Sequence, residues 1–390
     1  MGRERVSLRV IAREWGRIGC IGFGGPPTHI ALLRRLCVTD RGWLSASDFE
    51  DGIAATNLLP GPASTQLSIF CAWRLRGAIG GLVGGLCFIV PGLVLILALS
   101  ALFLAGHPPR AVEGAAAGAG AAVAAVAVNA ALGLMPASWG RAGSRRAQRG
   151  RWALYALCGA AAAATVGPFL VLVLLAAGLA EVAARGSWPR PAPVLHSVAA
   201  VPLLAVAAVG GVGGVGALVW ESFKVGALSY GGGFVIVPLM QQDVVHVYHW
   251  MTGAQFLNAV ALGQITPGPV VQTVAVVGYA AAGLGGGLLA AVIAFAPSFA
   301  FVLLGGRHFD RVRTSPAVQA FLTGAGPAAI GAIAGSAIPL GLELSQLWQV
   351  GVLAAALVWM LALRRNVVVG LIAAALIGVA ASLVGVPVGG

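Results

Sequence analysis

The stretch Asn57-Leu58-Leu59-Pro60-Gly61-Pro62 returns 207 positions later as Gln264-Ile265-Thr266-Pro267-Gly268-Pro269, and this pair decides how the chain is read. Around it, Phe23-Gly24-Gly25 returns as Tyr230-Gly231-Gly232, Trp43 as Trp250, Phe49 as Phe256, and Glu14-x-x-Arg17 as Glu221-x-x-Lys224. Pro-Gly-Pro inside an apolar segment interrupts a helix, because proline lacks the N–H donor and clashes with the preceding turn. Two broken apolar segments in corresponding positions of two halves point to the binding site of a transporter.

Composition sets the compartment. The chain is 59% hydrophobic with mean hydropathy +0.92, and only 9% of its residues are charged. A soluble domain carries about 25% charged residues. The stretches 77–106, 114–138 and 152–180 hold no charge at all. Each is long enough for the roughly 20-residue helix that crosses a bilayer. The expected fold is therefore an all-α polytopic membrane protein, embedded in the lipid bilayer.

The net charge of +12 does not imply nucleic acid. All but one of the 24 basic residues are Arg, and they cluster at the ends of apolar runs, as in 3–9, 141–151 and 364–365. That is how cytoplasmic loops are marked. No cleavable signal peptide is visible, since the N-terminal segment is amphipathic and Arg-rich. The expected location is a plasma membrane, with the N-terminus cytoplasmic. Cys20, Cys37, Cys71, Cys87 and Cys158 are scattered without metal or redox spacing and read as small packing residues. No cofactor and no metal are expected.

The halves are read as repeats at 1–192 and 216–390, joined by an apolar connector at 193–215. Each has a segment broken at Gly-Gly and one broken at Pro-Gly-Pro. Two clear spans follow (77–104 and 111–135; 284–304 and 317–340), then a terminal apolar pair. In the first repeat the turn at Arg74/Arg76 and the loop 137–151 carry seven Arg between them. The second repeat reverses this, with Arg307, Arg311 and Arg313 on the opposite loop. By the positive-inside rule the two repeats are inserted upside down relative to each other. Such inverted-topology repeats with discontinuous transmembrane helices are common in secondary transporters.

Candidate site residues follow from the breaks. Behind Pro60 stand Gly61, Ser64, Thr65 and Gln66; behind Pro267 stand Gly268, Gln272 and Thr273. Helix N-termini with free N–H donors and nearby hydroxyl or amide groups suit an anion. Gly24, Gly25, Gly231 and Gly232 permit close backbone approach. Lys224 is the sole lysine, set in an apolar run with Glu221 one turn before it. A cation there can draw a dianion into the cavity, since intramembrane charges are costly and usually functional. Arg17 and Arg34 fit either the mouth of the site or an interfacial anchor. Asp48 and Asp51 fit either proton carriers or helix N-terminal charges. His246-x-x-His249 has helix-face spacing, but Asp243 alone does not complete a metal set. No nucleophile, metal set or nucleotide motif supports an enzyme.

Several of these motifs resemble the chromate ion transporter family in its long two-domain form. They are Gly22-Phe23-Gly24-Gly25-Pro26, Asn57-Leu58-Leu59-Pro60-Gly61-Pro62 with Thr65-Gln66, and Cys87-Phe88-Ile89-Val90-Pro91. In the second half they are Lys224 with Gly226, Ser229-Tyr230-Gly231-Gly232-Gly233, and Gln264-Ile265-Thr266-Pro267-Gly268-Pro269. The resemblance implies a bacterial inner-membrane carrier that exports chromate and confers chromate resistance, with sulfate as the competing oxyanion. Asn57 and Gly22 depart from the Gln and Ser usual in the family; Asn keeps the amide with a shorter reach. Chromate and Gln264, with Asn57, are thus the expected substrate and its amide contacts. The alternative is a carrier or channel for sulfate or another small anion. A homodimer is a further expectation.

Overall fold

The computed structural model describes residues 6–56, 61–104, 108–165, 170–187, 214–229, 236–305 and 315–388. Asn57, Gly231, Gly232, most of the connector and the basic loop 307–313 lie outside the described residues. Every regular element among the described residues is helical. The first half runs α1 (Leu8–Ile21), α2 (Pro26–Arg34, continuing as a π turn, Arg35–Asp40), α3 (Ala46–Thr56), α4 (Ala63–Phe103), α5 (Arg110–Ala121), α6 (Val123–Ala142), α7 (Arg146–Thr165) and α8 (Leu170–Ala184). The second runs α9 (Val215–Leu228), α10 (Ile236–Gln241, continuing as a π turn, Gln242–Val247), α11 (Gly253–Ile265), a 3-10 turn (Val270–Gln272) and α12 (Thr273–Gly305). It ends with α13 (Pro316–Leu342), α14 (Leu347–Leu357, continuing as a π turn, Val358–Ala362) and α15 (Val367–Leu383). Both ends of α1 and of the first π turn recur 207 positions later in α9 and the second π turn.

Local chemistry sets several of these ends. The Ser7 hydroxyl accepts from the Val10 N–H at the start of α1, and Thr252 and Gln255 form a reciprocal capping box on α11. Pro26 opens α2, a position where its missing donor costs nothing.

Among the described residues, four helices are long and apolar enough to cross a membrane: α4, α5 with α6, α12 with its 3-10 turn, and α13. Two of them fold back on themselves. The backbone leaves helical geometry at Arg76–Gly77 in α4 and at Ala282–Gly283 in α12, with φ of 66° and 63° at the two glycines. Beyond the first break, a Cβ placed on Gly85 would lie 2.7 Å from Ile69; beyond the second, one on Gly287 would lie 2.9 Å from the Ala275 carbonyl. Residues that far apart in a straight helix stand about 18–24 Å apart. The chain therefore reverses, leaving 78–103 and 284–305 as the full-length crossings.

The short arms 63–75 and 270–281 also fold back on the helix before them. A Cβ on Gly52 in α3 would lie 2.6 Å from the Phe70 ring, and Arg74 pairs with Asp48 at 2.6 Å. In the second half Gly263 of α11 packs on the Thr273 hydroxyl so closely that a Cβ would overlap it. Gly61-Pro62 and Pro267-Gly268-Pro269 thus stand at the tips of helical hairpins. Sequence reading, which treats the motif as an interruption within one segment, misses this arrangement. The physical reason is burial: Gly61–Ala72 and Thr266–Gly278 are buried without interruption. A helix buried on every side belongs to a protein interior, where irregular backbone is tolerated at membrane depth.

The outer surface is apolar. Ile79, Leu82, Leu86, Val90 and Val94 form an exposed stripe on α4, and Leu284, Leu288 and Val292 do so on α12. Such continuous stripes suit a lipid-facing surface. The halves interlock through small residues. α7 and α8 pack on α13, and α5 packs on α15. At these crossings Gly159 meets the Ala328 backbone and Gly118 meets that of Ala374, with no room for a Cβ. Close backbone approach is what drives helix association where lipid supplies no hydrophobic force.

Candidate functional site

Each hairpin tip is seated in the opposite half. Gly61, at φ 118°, lies against the Gly226 carbonyl of α9 and the Ser298 hydroxyl of α12, which a Cβ would approach to 3.4 and 3.1 Å. Gly268, at φ 103°, donates its N–H to the Gly22 carbonyl at the end of α1, 3.0 Å away. Pro267 and Gln272 close over Gly92 of α4, whose added Cβ would overlap the Pro267 carbonyl and come within 2.6 Å of Gln272 Oε1. The Gln272 amide donates to the Ile89 carbonyl at 2.8 Å. The exchange is reciprocal, since Ser298 follows Pro297 as Gly92 follows Pro91.

His29 ties the junction together. Its Nε2 lies 2.8 Å from the Gly22 carbonyl, and Nδ1 lies 3.3 Å from the Ser64 hydroxyl. A carbonyl only accepts, so Nε2 carries the proton and Nδ1 accepts from Ser64. The ring is fully buried, edge-on to Phe88. The Gly22 carbonyl thereby receives both the imidazole and the Gly268 N–H, joining the Gly-Gly break, the start of α4 and the second hairpin tip. Sequence reading assigned His29 no role, because a lone His in an apolar context carries no spacing signal. His29→Phe should fill the volume but lose both hydrogen bonds, each worth about 1 kcal/mol. A lower melting temperature in detergent, with reduced transport, is the expected outcome; wild-type values for both would remove His29 from the junction.

Buried polar atoms collect around the tips. Thr65 Oγ1, Ser68 Oγ, Ser229 Oγ, Gln264 Nε2, Gln272 Oε1 and Ser298 Oγ have no hydrogen-bond partner among the described residues. Buried polar groups in native proteins are nearly always paired, so such a cluster marks a place for a polar ligand. Neither α4 nor the 3-10 turn is capped by a side chain. Their N-terminal dipoles therefore face this interior. Ser64, Thr65, Gln66, Gln264, Gln272 and Thr273 are all brought to this region, together with Gly61 and Gly268. Gly24 and Gly25 adopt φ of 97° and 74°, and Gly25 approaches Val270 of the opposite half.

The charges stand apart from the tips. Arg74, Asp48 and Ser45 meet at the base of the first hairpin. Arg34 pairs with Glu50 at 3.1 Å on the exposed surface, and Asp51 is exposed nearby. Arg17 is largely exposed, 3.8 Å from Glu14, on the wall of a cavity of about 410 Å³ that Arg35, Asp40 and Arg41 also line. Lys224 behaves differently. It is buried, 2.6 Å from Glu221 and paired with Asp243 of the second π turn. Lys224 and Gly226 are two residues apart on α9, about 200° around the helix. The lysine thus points away from the face that seats Gly61.

Described elements that are all helical, with apolar outer crossings and duplicated hairpins tipped into a polar interior, have the build of a membrane transport protein. The chain belongs to the chromate transporter family, whose model matches residues 10–182 and 216–379. It is 32% identical over 338 residues to the chromate transport protein of Cupriavidus metallidurans, covering 86% of this chain and 82% of that one. It is 30% identical to the chromate transport protein of Pseudomonas aeruginosa, covering 83% and 79%. The probable chromate transport protein of Synechococcus elongatus is 27% identical, with 86% and 85% covered. No solved structure matches the chain.

Proposed function

We propose that this protein exports chromate from the bacterial cytoplasm across the inner membrane by alternating access, and so confers chromate resistance. The observation that carries this reading is the reciprocal seating of the two hairpin tips, Gly61 and Gly268, each in the opposite half. Hydroxyl and amide groups without hydrogen-bond partners among the described residues surround them. The names of the relatives supply the anion; the chemistry of the site agrees with a tetrahedral oxyanion. Thr65 Oγ1 and Gln264 Nε2 offer donors, Ser64, Gln66, Gln272 and Thr273 flank them, and the uncapped helix starts add positive dipole ends. Asn57, Gly231 and Gly232 complete the proposed cradle from the two breaks, with Gly24 and Gly25 allowing close approach. Lys224 acts through its own cluster rather than as a bare attracting charge.

The repeats 1–192 and 216–390 are inserted in opposite senses, with 193–215 crossing between them and the N-terminus in the cytoplasm. This follows from the swapped positive loops. Motion of one seated tip relative to the other half would open the polar interior to one side at a time, which is the geometry of alternating access. Sulfate, an equally shaped dianion, is the natural competitor.

Inside-out vesicles should accumulate radiolabelled chromate, and sulfate should compete. Gln264→Ala should weaken accumulation by roughly tenfold, the worth of one hydrogen bond to a charged ligand. Vesicles that accumulate no chromate under any imposed gradient would overturn the assignment. An unaltered rate in Gln264→Ala would remove that amide from the site.

A further inference from the structure

Three glutamates are buried among the described residues: Glu14, Glu181 and Glu221. The first two are surrounded by positive charge. Arg13 and Arg41 lie 2.9 and 3.0 Å from Glu14, with Arg17 at 3.8 Å. Arg151 and Arg185 lie 2.8 and 2.7 Å from Glu181. Glu221 is the exception. It is completely buried, and its cation, Lys224, is shared with a second carboxylate, Asp243.

Two carboxylates on one ammonium leave one negative charge too many in a buried, intramembrane setting. An uncompensated buried charge costs several kcal/mol, so a further positive charge is required when this cluster is closed. Among the described residues the surroundings do not supply it. α12, the helix packed most extensively on α9, has no charged residue between Thr273 and Gly305. α10 and its π turn bring Asp243 itself and His246, and the latter is exposed. Tyr248 is the other titratable side chain within electrostatic reach of all three groups, and it cannot supply a cation. A metal ion would need more oxygen ligands than two carboxylates, and no cluster of three or more His, Cys, Asp or Glu exists among the described residues.

We propose that Glu221 and Asp243 share one exchangeable proton beside Lys224, and that this cluster couples proton movement to the hairpin-tip site. The first half offers a built-in comparison. Its counterpart of Glu221 is Glu14, held by three guanidinium groups, and the counterpart of Asp243 is Leu36. That side needs no proton. The coupling route is α9, which carries the cluster on one face and the Gly226 seat of the first tip on the other. Asp243 is the partly exposed member, its side chain 18% accessible, and gives the proton its way in. Loss of the proton leaves the pair doubly ionised and drives the π turn of α10 away from α9. Rebinding closes it.

The coupling clause rests on the transport reading; the proton site itself does not, and the experiment separates them. Infrared spectra of the purified full-length protein should show a carboxylic acid C=O band that disappears as pH is raised. Glu221→Gln and Asp243→Asn should each abolish the band, because either leaves one carboxylate facing one ammonium. In proteoliposomes holding a pH indicator, anion flux through the wild type should carry protons. In Asp243→Asn the protons moved per anion should fall at least tenfold. The proposal is overturned if the wild type has no titrating band, if the band survives in both variants, or if sodium rather than protons sets its intensity. Wild-type protein that moves no anion would sink the transport reading, while the infrared result would still decide the proton site.

Discussion

Gly92→Ala should lower chromate accumulation in vesicles by about 100-fold while the protein still reaches the membrane. A single added methyl would overlap the Pro267 carbonyl and press on Gln272, which bonds the Ile89 carbonyl one helical turn earlier. Backbone cannot yield as a flexible side chain can, so the second hairpin tip must move by an ångström or more. Displacements of that size cost about two orders of magnitude where a ligand's geometry matters. Overpacking itself destabilises by only about 1–3 kcal/mol, which leaves the fold intact. Gly133→Ala in α6 is the matched control, because nothing lies within 4 Å of its added Cβ. Alanine there should be neutral or stabilising by up to about 1 kcal/mol. Transport assays paired with size-exclusion profiles of both variants decide the matter. A wild-type rate in Gly92→Ala would mean that the tip does not need its seat on α4.

Much of this architecture is legible in the residues. Hydropathy places the crossings at 78–103 and 284–305 within a residue or so, because charge-free runs of that length match the thickness of a bilayer. The offset of 207 anticipates equivalent elements down to the two π turns. The fold-backs are harder to see. Residues 63–75 carry Ser64, Thr65, Gln66 and Ser68, which read as ligand groups on a broken span, and only the absence of an exposed stripe distinguishes an interior arm from an outer one. That property belongs to the neighbours, not to the arm. The seating of each tip in the opposite half is likewise hidden. It depends on Gly92, Gly226 and Ser298, which look like ordinary small packing residues until a backbone arrives beside them. Asp243 illustrates the same limit. Beside His246 and His249 it suggests an incomplete metal set, and it acquires a partner only when the π turn is folded against α9. The acids of the first half, Asp48 and Asp51, drew attention by number, yet they sit at an exposed hairpin base.

Lys224 and Arg17 occupy corresponding positions, and their removal should have opposite consequences. Lys224→Met leaves Glu221 and Asp243 facing each other without a cation, in a buried site. Breaking a buried pair in this way costs about 3–5 kcal/mol, so folded yield and melting temperature should both fall sharply. Arg17→Met removes a largely exposed side chain 3.8 Å from a glutamate that keeps Arg13 and Arg41. Exposed pairs are worth at most about 1 kcal/mol, and the melting temperature should barely change. The combined variant Lys224→Met, Glu221→Gln, Asp243→Asn tests the reason for the difference. It removes all three charges together and should recover most of the lost stability, since neutral groups of similar shape carry no charge-burial penalty. Recovered stability without proton-coupled flux would assign the cluster's cost to its charges and its purpose to the proton. A Lys224→Met protein that melts like the wild type, or a triple variant no more stable than Lys224→Met, would show that the three charges do not form one buried unit.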